Sequence, residues 1–432
     1  MHASPGGVYG VLERLYRGAL VASLLALVVG CSEQVTGSLG CPALCTDQAA
    51  ALRDTTLSGV VVMDTTLLGF PPLGTTRDVT LRSQGDTADV RLIARFDTLP
   101  NAYRPAGAAS DSSIARVDSA TFLFVVDTSV TKPTVPITID AFDVDTTAND
   151  TIPSTLVPLF RADRLLGSQS YQPADVKDTL RLALSNTALL VKIQKVQRLR
   201  IGLRIRGASS VKLRVVSSAF APRVRFRVSA DTTVKPDTVT LLSRTPTADP
   251  GIAGSLAVYP LVAKGALPLP SAGRISVGGL AGARSYLRFD IPSIVLDSVQ
   301  VVRASLLLTQ LAGRTPGGSA DTLTLYAAPV IASPLVMDVR LASQFLGSGS
   351  RLLSDSLRLA SRDVGLRSIE LVNIVRVWQL VGTTNTSRAL VLYTPQESTT
   401  AGELSFASTE ALLAQRPQLR ITYVPRRGFG LP

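Results

Sequence analysis

Histidine is almost missing from these 432 residues, the single one being His2, and the three cysteines are Cys31, Cys41 and Cys45, all near the amino terminus. Beyond that region no imidazole remains to activate a serine or cysteine nucleophile or to ligate zinc or iron. Glutamate is absent between Glu33 and Glu370. The carboxylate pair of a glycosidase would therefore have to come from aspartates, and no pair stands out. No phosphate-cradling glycine loop or dinucleotide fingerprint occurs. Together these absences predict a protein that is not an enzyme. Aromatic residues make up only 5% of the chain and Trp378 is the one tryptophan, so platforms for stacking on sugars are few. Trp378 and Tyr393 are the candidate glycan contacts, although Val375, Val377 and Leu380 around the tryptophan suit a core position as well.

What the amino terminus does contain is an export pattern. Arg14 and Arg17 precede an apolar run from Gly18 to Val29 that is too short to span a membrane as a mature helix. It ends in Val28-Val29-Gly30-Cys31, which resembles the lipobox of bacterial lipoproteins. The resemblance implies that residues 1–30 are a signal peptide, that Cys31 carries palmitate and other lipid, and that the mature chain is anchored to a membrane. Ser32, rather than Asp, after the cysteine implies the outer membrane in the Gram-negative sorting pattern. Residues 31–54 read as a tether. Two thiols without a nearby histidine make a poor zinc site, so in an oxidising compartment Cys41 and Cys45 are expected to form a local disulfide.

From there on the pattern is one of short alternating apolar runs rich in β-branched residues and punctuated by Asp, Thr, Gly and Pro, which predicts strands. Only Asn186–Lys195 and Leu371–Leu380 read as short helical pieces. An internal repeat appears when the halves are aligned. Arg95-Phe96-Asp97 returns as Arg288-Phe289-Asp290, and Ala120 to Phe124 as Ala304 to Leu308. Ile137 and Ile139 return as Leu323 and Leu325, and Pro222 to Val228 as Pro417 to Tyr423. The order is kept throughout. The expectation is an all-β chain of two tandem antiparallel β-sandwiches of jelly-roll type, spanning 55–230 and 237–425, with a linker at 231–236 and a tail at 426–432.

The second copy resembles the DNRLRE-type domain of extracellular bacterial proteins, akin to carbohydrate-binding modules. The matching residues are Tyr286 to Pro292, Val302 to Leu308, Val372 to Trp378 with Asn385, Ala389 to Tyr393, Phe406 to Ser408 and Arg416 to Tyr423. The first copy keeps the Arg-Phe-Asp and terminal elements and lacks the tryptophan. The resemblance implies a sandwich module on a secreted or surface protein, with some relatives binding acidic polysaccharides.

Charge narrows the partner. The chain carries a net +12, and the window from Thr179 to Ala230 holds twelve basic residues without one Asp or Glu. Outside that window Lys and Arg equal Asp and Glu in number. Arg204 and Arg206, Lys212 and Arg214, and Arg223, Arg225 and Arg227 alternate with apolar residues, which turns the cations to one strand face. With Arg198 and Arg200 they form a candidate anion-binding face, since guanidinium matches carboxylate, sulfate and phosphate. A solvated face opposite Asp-rich loops is the competing reading. Asp143, Asp145, Asn149 and Asp150 are a weak candidate calcium site, lacking the EF-hand spacing; no other cofactor is indicated. The function expected is an envelope lipoprotein binding or organising an acidic polysaccharide or lipopolysaccharide. The alternative is a structural or assembly lipoprotein contacting other envelope proteins. Nucleic acid is not expected as a partner, for want of groove-reading elements and interleaved aromatics.

Overall fold

The structure is a computed structural model and describes residues 52–96, 99–105, 107–129, 133–215, 220–229, 237–242, 257–315, 321–330, 355–381 and 388–425. Alternation sets the strands. In Thr179–Leu184 the threonine, arginine and alanine face out while the three leucines are buried.

In chain order the strands begin with β1 (Arg53–Ser58), β2 (Val61–Leu67), β3 (Asp78–Gln84), β4 (Ala88–Phe96), β5 (Ala102–Tyr103), β6 (Ser112–Ser113), β7 (Arg116–Val126) and β8 (Ile137–Asp143). Next come β9 (Leu165–Tyr171), β10 (Thr179–Leu184), β11 (Leu199–Arg206), β12 (Ser209–Arg214), β13 (Arg223–Ser229), β14 (Asp237–Leu242), β15 (Val258–Lys264) and β16 (Arg274–Gly278). The series ends with β17 (Arg284–Phe289), β18 (Val299–Leu311), β19 (Thr322–Val330), β20 (Ser356–Ala360), β21 (Gly365–Glu370), β22 (Ala389–Tyr393), β23 (Glu403–Ala407) and β24 (Gln418–Pro425). The α-helices of the described residues are α1 (Pro153–Leu156), α2 (Asn186–Gln194), α3 (Ser293–Asp297) and α4 (Val372–Val381). Thus α2 and α4 fall on the two stretches expected to be helical.

The chain is an all-β sandwich protein. A curled sheet of eleven strands surrounds the first core, in which Phe96, Phe122, Phe124, Leu182, Leu203 and Phe226 are sealed from solvent. A six-stranded and a five-stranded sheet close on the second, around Leu287, Leu306, Leu325, Leu392, Phe406 and Leu419. Each such side chain contributes on the order of 1.5–3 kcal/mol by leaving water. The repeat is carried down to register. Phe122 faces Val224 and Leu182, and at the matching positions Leu306 faces Leu419 and Ile369. Ala94 faces Ile201 as Leu287 faces Leu390.

Strand pairing crosses the boundaries expected from the sequence. β1 pairs with β24 and β2 with β17, so the first two strands belong to the second sandwich. Reciprocally, β14 pairs with β13 and β15 with β4, so the strands that open the second copy complete the first sandwich. The two arms hold equivalent places: Val224 meets Leu241 where Leu419 meets Leu57, and Ala94 meets Val258 where Leu287 meets Asp64. Each arm has been exchanged between repeats. An apolar cluster of Ala88 and Val90 from one sandwich with Leu280 and Ala401 from the other, packed by Val262, joins them.

Candidate functional site

The cations of the basic window separate into two groups. β11 runs between β4 and β8, and its arginines meet acids from neighbouring elements. Arg206 Nε lies 2.9 Å and Arg204 Nη2 3.5 Å from the buried Asp140 of β8. Arg204 also lies over the Phe142 ring. Arg198 Nε is 2.6 Å from Asp145, and the buried Arg200 is 3.4 Å from Asp150. On β12, Lys212 Nζ is 3.0 Å from Asp78 and 3.5 Å from Asp127, while Arg214 Nη2 is 3.1 Å from Asp127. The single plate of nine cations is thereby reduced: the acids missing from the window itself come in from β3, β8 and the loops that follow β7 and β8.

The same pairings correct the calcium expectation. Asp143 receives Lys192 Nζ at 2.8 Å, and Asp145 is shared by Lys192 and Arg198. Asp150 forms an ion pair with the buried Arg95, and Asn149 Oδ1 accepts from Thr151 N at 2.9 Å and Thr151 Oγ1 at 2.7 Å. The three carboxylates are thus engaged by Lys192, Arg198 and Arg95, and among the described residues no three His, Cys, Asp or Glu side chains converge as a metal site. Residues 143–164 are instead a strap over the outer face of β15, β4, β11 and β8. Val144, Leu156 and Phe160 pack there on Ile93, Phe142, Tyr259 and Leu261. Gly202 makes room for it, since a Cβ at that position would lie 2.5 Å from Phe160 Cζ.

The second group stands on β13 and β10, which flank β7. Leu123 of β7 faces Arg223 on one side and Arg181 on the other, and Thr121 faces Arg225 and Ala183. Residues paired in register point to the same side of a sheet, so these arginines share one outward face. Arg181, Arg225 and Arg227 are exposed, with no ion pair among the described residues. Arg223 is half-buried and makes a contact of its own. Arg181 was not among the face residues expected, yet its place in the alternating Thr179–Leu184 run was the signal for it.

Asp127, at one end of this face, is a useful probe. The Ser129 hydroxyl donates to it at 2.6 Å, and with the Ser129 amide, Arg214 and Lys212 it outweighs burial and holds the carboxyl at about 2, against the ordinary 3.8. A depressed carboxylate stabilises the fold fully above its unfolded pKa and loses that contribution as pH falls through the folded value. The gap in melting temperature between the wild type and Asp127→Asn should therefore shrink between pH of about 4 and about 2. A gap that stays constant down to pH 2 would remove the ion-pair role.

The aromatic candidates are internal. Trp378 is only 7% exposed and packs in the second core, its ring 5.2 Å from that of Phe289. Tyr393 is equally buried and stacks on Tyr326 with ring centroids 5.6 Å apart. Neither offers a face to a sugar, because α4 packs Trp378 into the second core and β22, which carries Tyr393, is buried at every position. Cys31, Cys41 and Cys45 lie outside the described residues, and no helix of the described residues is long and apolar enough to cross a membrane.

No family model matches the chain, and no curated protein does. Among solved structures, the CBM22-1–CBM22-2 tandem domain from Paenibacillus barcinonensis Xyn10C is 8% identical over 88% of this chain and 100% of its own, with a TM-score of 0.13. The VP2 subviral particle of infectious bursal disease virus is 11% identical over 87% of this chain and 77% of its own, with a TM-score of 0.14. Scores this low carry no argument about the present chain.

Proposed function

We propose that the protein is a non-enzymatic envelope lipoprotein, exported and anchored through Cys31, that binds an acidic polysaccharide on the outward face of β10, β7 and β13. One observation supports this reading above the others: Arg181, Arg225 and Arg227 stand exposed on one sheet face without acidic partners among the described residues, whereas the remaining cations of the window are largely neutralised. Guanidinium groups hold carboxylates through paired donors, and an array of them binds a polymer at many points. Reversing Arg181, Arg225 and Arg227 to glutamate should weaken binding of polygalacturonate at least tenfold, about 1.4 kcal/mol, with the melting temperature unchanged. Absence of salt-sensitive binding by the wild type to any anionic polymer would overturn the reading. A single stoichiometric envelope protein recovered by crosslinking in cells, without glycan affinity, would replace it with an assembly role. For the anchor, Cys31→Ala should release the protein from membranes, and continued membrane association would refute lipidation as its cause.

A further inference from the structure

We infer that the α3–α4 end of the second sandwich is a membrane-docking surface, seated on the phospholipid surface that holds the Cys31 lipid; the inference rests on the anchoring part of the reading above. The side chains at this end are apolar and uncovered. Leu380, at the carboxyl end of α4, is 87% exposed, more than any other large apolar side chain of the described residues, and Ile294 of α3 is 63% exposed. Gln379 fastens the two helices together, its amide donating to Val295 O at 2.8 Å and to Val299 O at 2.9 Å. The inner faces of α3 and α4 already bury Val295, Leu296, Ile374, Val375 and Trp378 in the second core, so the two tips left outside are not needed to close it. Exposed apolar groups held on rigid, adjoining elements mark a contact with a partner or a membrane.

The place where the chain leaves the sandwich selects the occupant. Arg53 of β1 pairs with Tyr423 of β24 and Tyr423 with Val301 of β18, whose carbonyl accepts from Arg376 Nε of α4 at 3.3 Å. About two strand spacings, or roughly 10 Å, therefore separate the start of β1 from the strand that α4 flanks. Leu52, just before β1, is itself 63% exposed. Cys31 lies 21 residues before Leu52 (52 minus 31). As a tether, that length spans about 25 Å on average. A lipid on Cys31 thus holds this end closest to the bilayer, at an effective concentration that makes weak apolar contacts sufficient. Charge complements the headgroups as well. Arg376 stands one turn behind Leu380 and Arg53 directly follows Leu52, and both are exposed. An apolar tip backed by a guanidinium suits the boundary between acyl chains and phosphates, the tip entering and the cation staying at headgroup level. The exposed Leu366 has no such place, since it faces Thr309, eight residues farther along β18 than Val301 (309 minus 301). That puts it roughly 25 Å from the docking end.

The test reads tryptophan emission of the lipidated protein in vesicles of phosphatidylethanolamine and phosphatidylglycerol, with and without bromine on the acyl chains. Side chains seated roughly 5–10 Å into the headgroup–acyl boundary meet the bromines, so the emission added by Leu380→Trp should fall by about half or more. The emission added by Leu366→Trp should not change, and wild-type protein supplies the background of Trp378 for both. Adding Ile294→Glu to Leu380→Trp should abolish the quenching while the protein still floats with the vesicles. All three side chains are exposed, and unchanged melting temperatures confirm the fold of the variants. Equal quenching at residues 380 and 366, or none at 380 in protein that floats with the vesicles, overturns the docking surface and leaves the anchor standing. Failure to float overturns the anchor itself. Shielding of Leu380→Trp from aqueous iodide before vesicles are added, lost on deletion of residues 426–432 or on dilution, overturns lipid as the occupant and gives the surface to that segment or to a second copy of the chain.

Discussion

A chain that starts at Leu68, lacking the arm β1 and β2, should lose its second sandwich while keeping the first. β1 pairs with β24 over all six of its residues and β2 covers β17, so deletion opens both strands at once. It also strips Val60 and Val61 from the core and removes the packing of Leu57. The buried valines alone are worth on the order of 1.5–3 kcal/mol each. With two strands of hydrogen bonds lost as well, the deficit is a large part of the roughly 5–15 kcal/mol that holds a typical domain folded. The first sandwich keeps β14 and β15 and should stay intact. Limited proteolysis and hydrogen exchange would show protection over residues 78–229 and cleavage beyond residue 265, and a peptide of residues 52–68 added in trans should restore protection. Two autonomous repeats at 55–230 and 237–425 would give the opposite result, an unchanged second transition. By the same logic residues 55–230 expressed alone should not fold, because β13 would lose β14 and β4 would lose β15.

The exchange shows where the sequence was informative and where it was silent. Period-two alternation in stretches such as Arg223–Val228 and Leu419–Ile421 states which side of a strand is buried, and the repeat states which strands are equivalent. Both are local or collinear properties, and both appear in the fold. Which strand lies beside which is settled by contacts across hundreds of residues, and equivalent arms that fit either copy look the same in sequence. The candidate site divides in the same way. The outward phase of Arg204, Arg206, Arg225 and Arg227 was legible, but Asp140 on β8 and Asp78 on β3 reach the window only after folding. The Asp143–Asp150 cluster looked like a cation site because its counter-charges, Lys192, Arg198 and Arg95, lie far along the chain. Composition identified scarce aromatics as candidates, while burial of Trp378 and Tyr393 depends on α4 and on the strands packed around them.

Replacing Glu397 with alanine should be among the most damaging single changes in the second sandwich. Arg284 Nε donates to Glu397 Oε2 at 2.9 Å, and Arg284 Nη2 donates to Oε1. Both side chains are about nine-tenths or more buried. The guanidinium lies 4.1 Å from the centre of the Phe70 ring and 5.5 Å from that of Tyr393, so its charge is closed in on either side. Phe70 is seated by backbone hydrogen bonds from Gly69 to Ala281 and from Phe70 to Gly282. Gly282, at φ +62°, permits this approach, since a Cβ there would lie 1.7 Å from the Phe70 carbonyl oxygen. Burial pushes the Glu397 carboxyl up and Arg284 pulls it back. Removing the carboxylate leaves an uncompensated buried cation, which costs about 3–5 kcal/mol. At roughly 2–4 °C per kcal/mol, the melting temperature should fall by about 10 °C. The double change Arg284→Met with Glu397→Leu removes both charges and fills the space, and should recover most of the loss. A Glu397→Ala variant that melts within a degree of the wild type would show that water reaches the pair, and with it the underside of Tyr393.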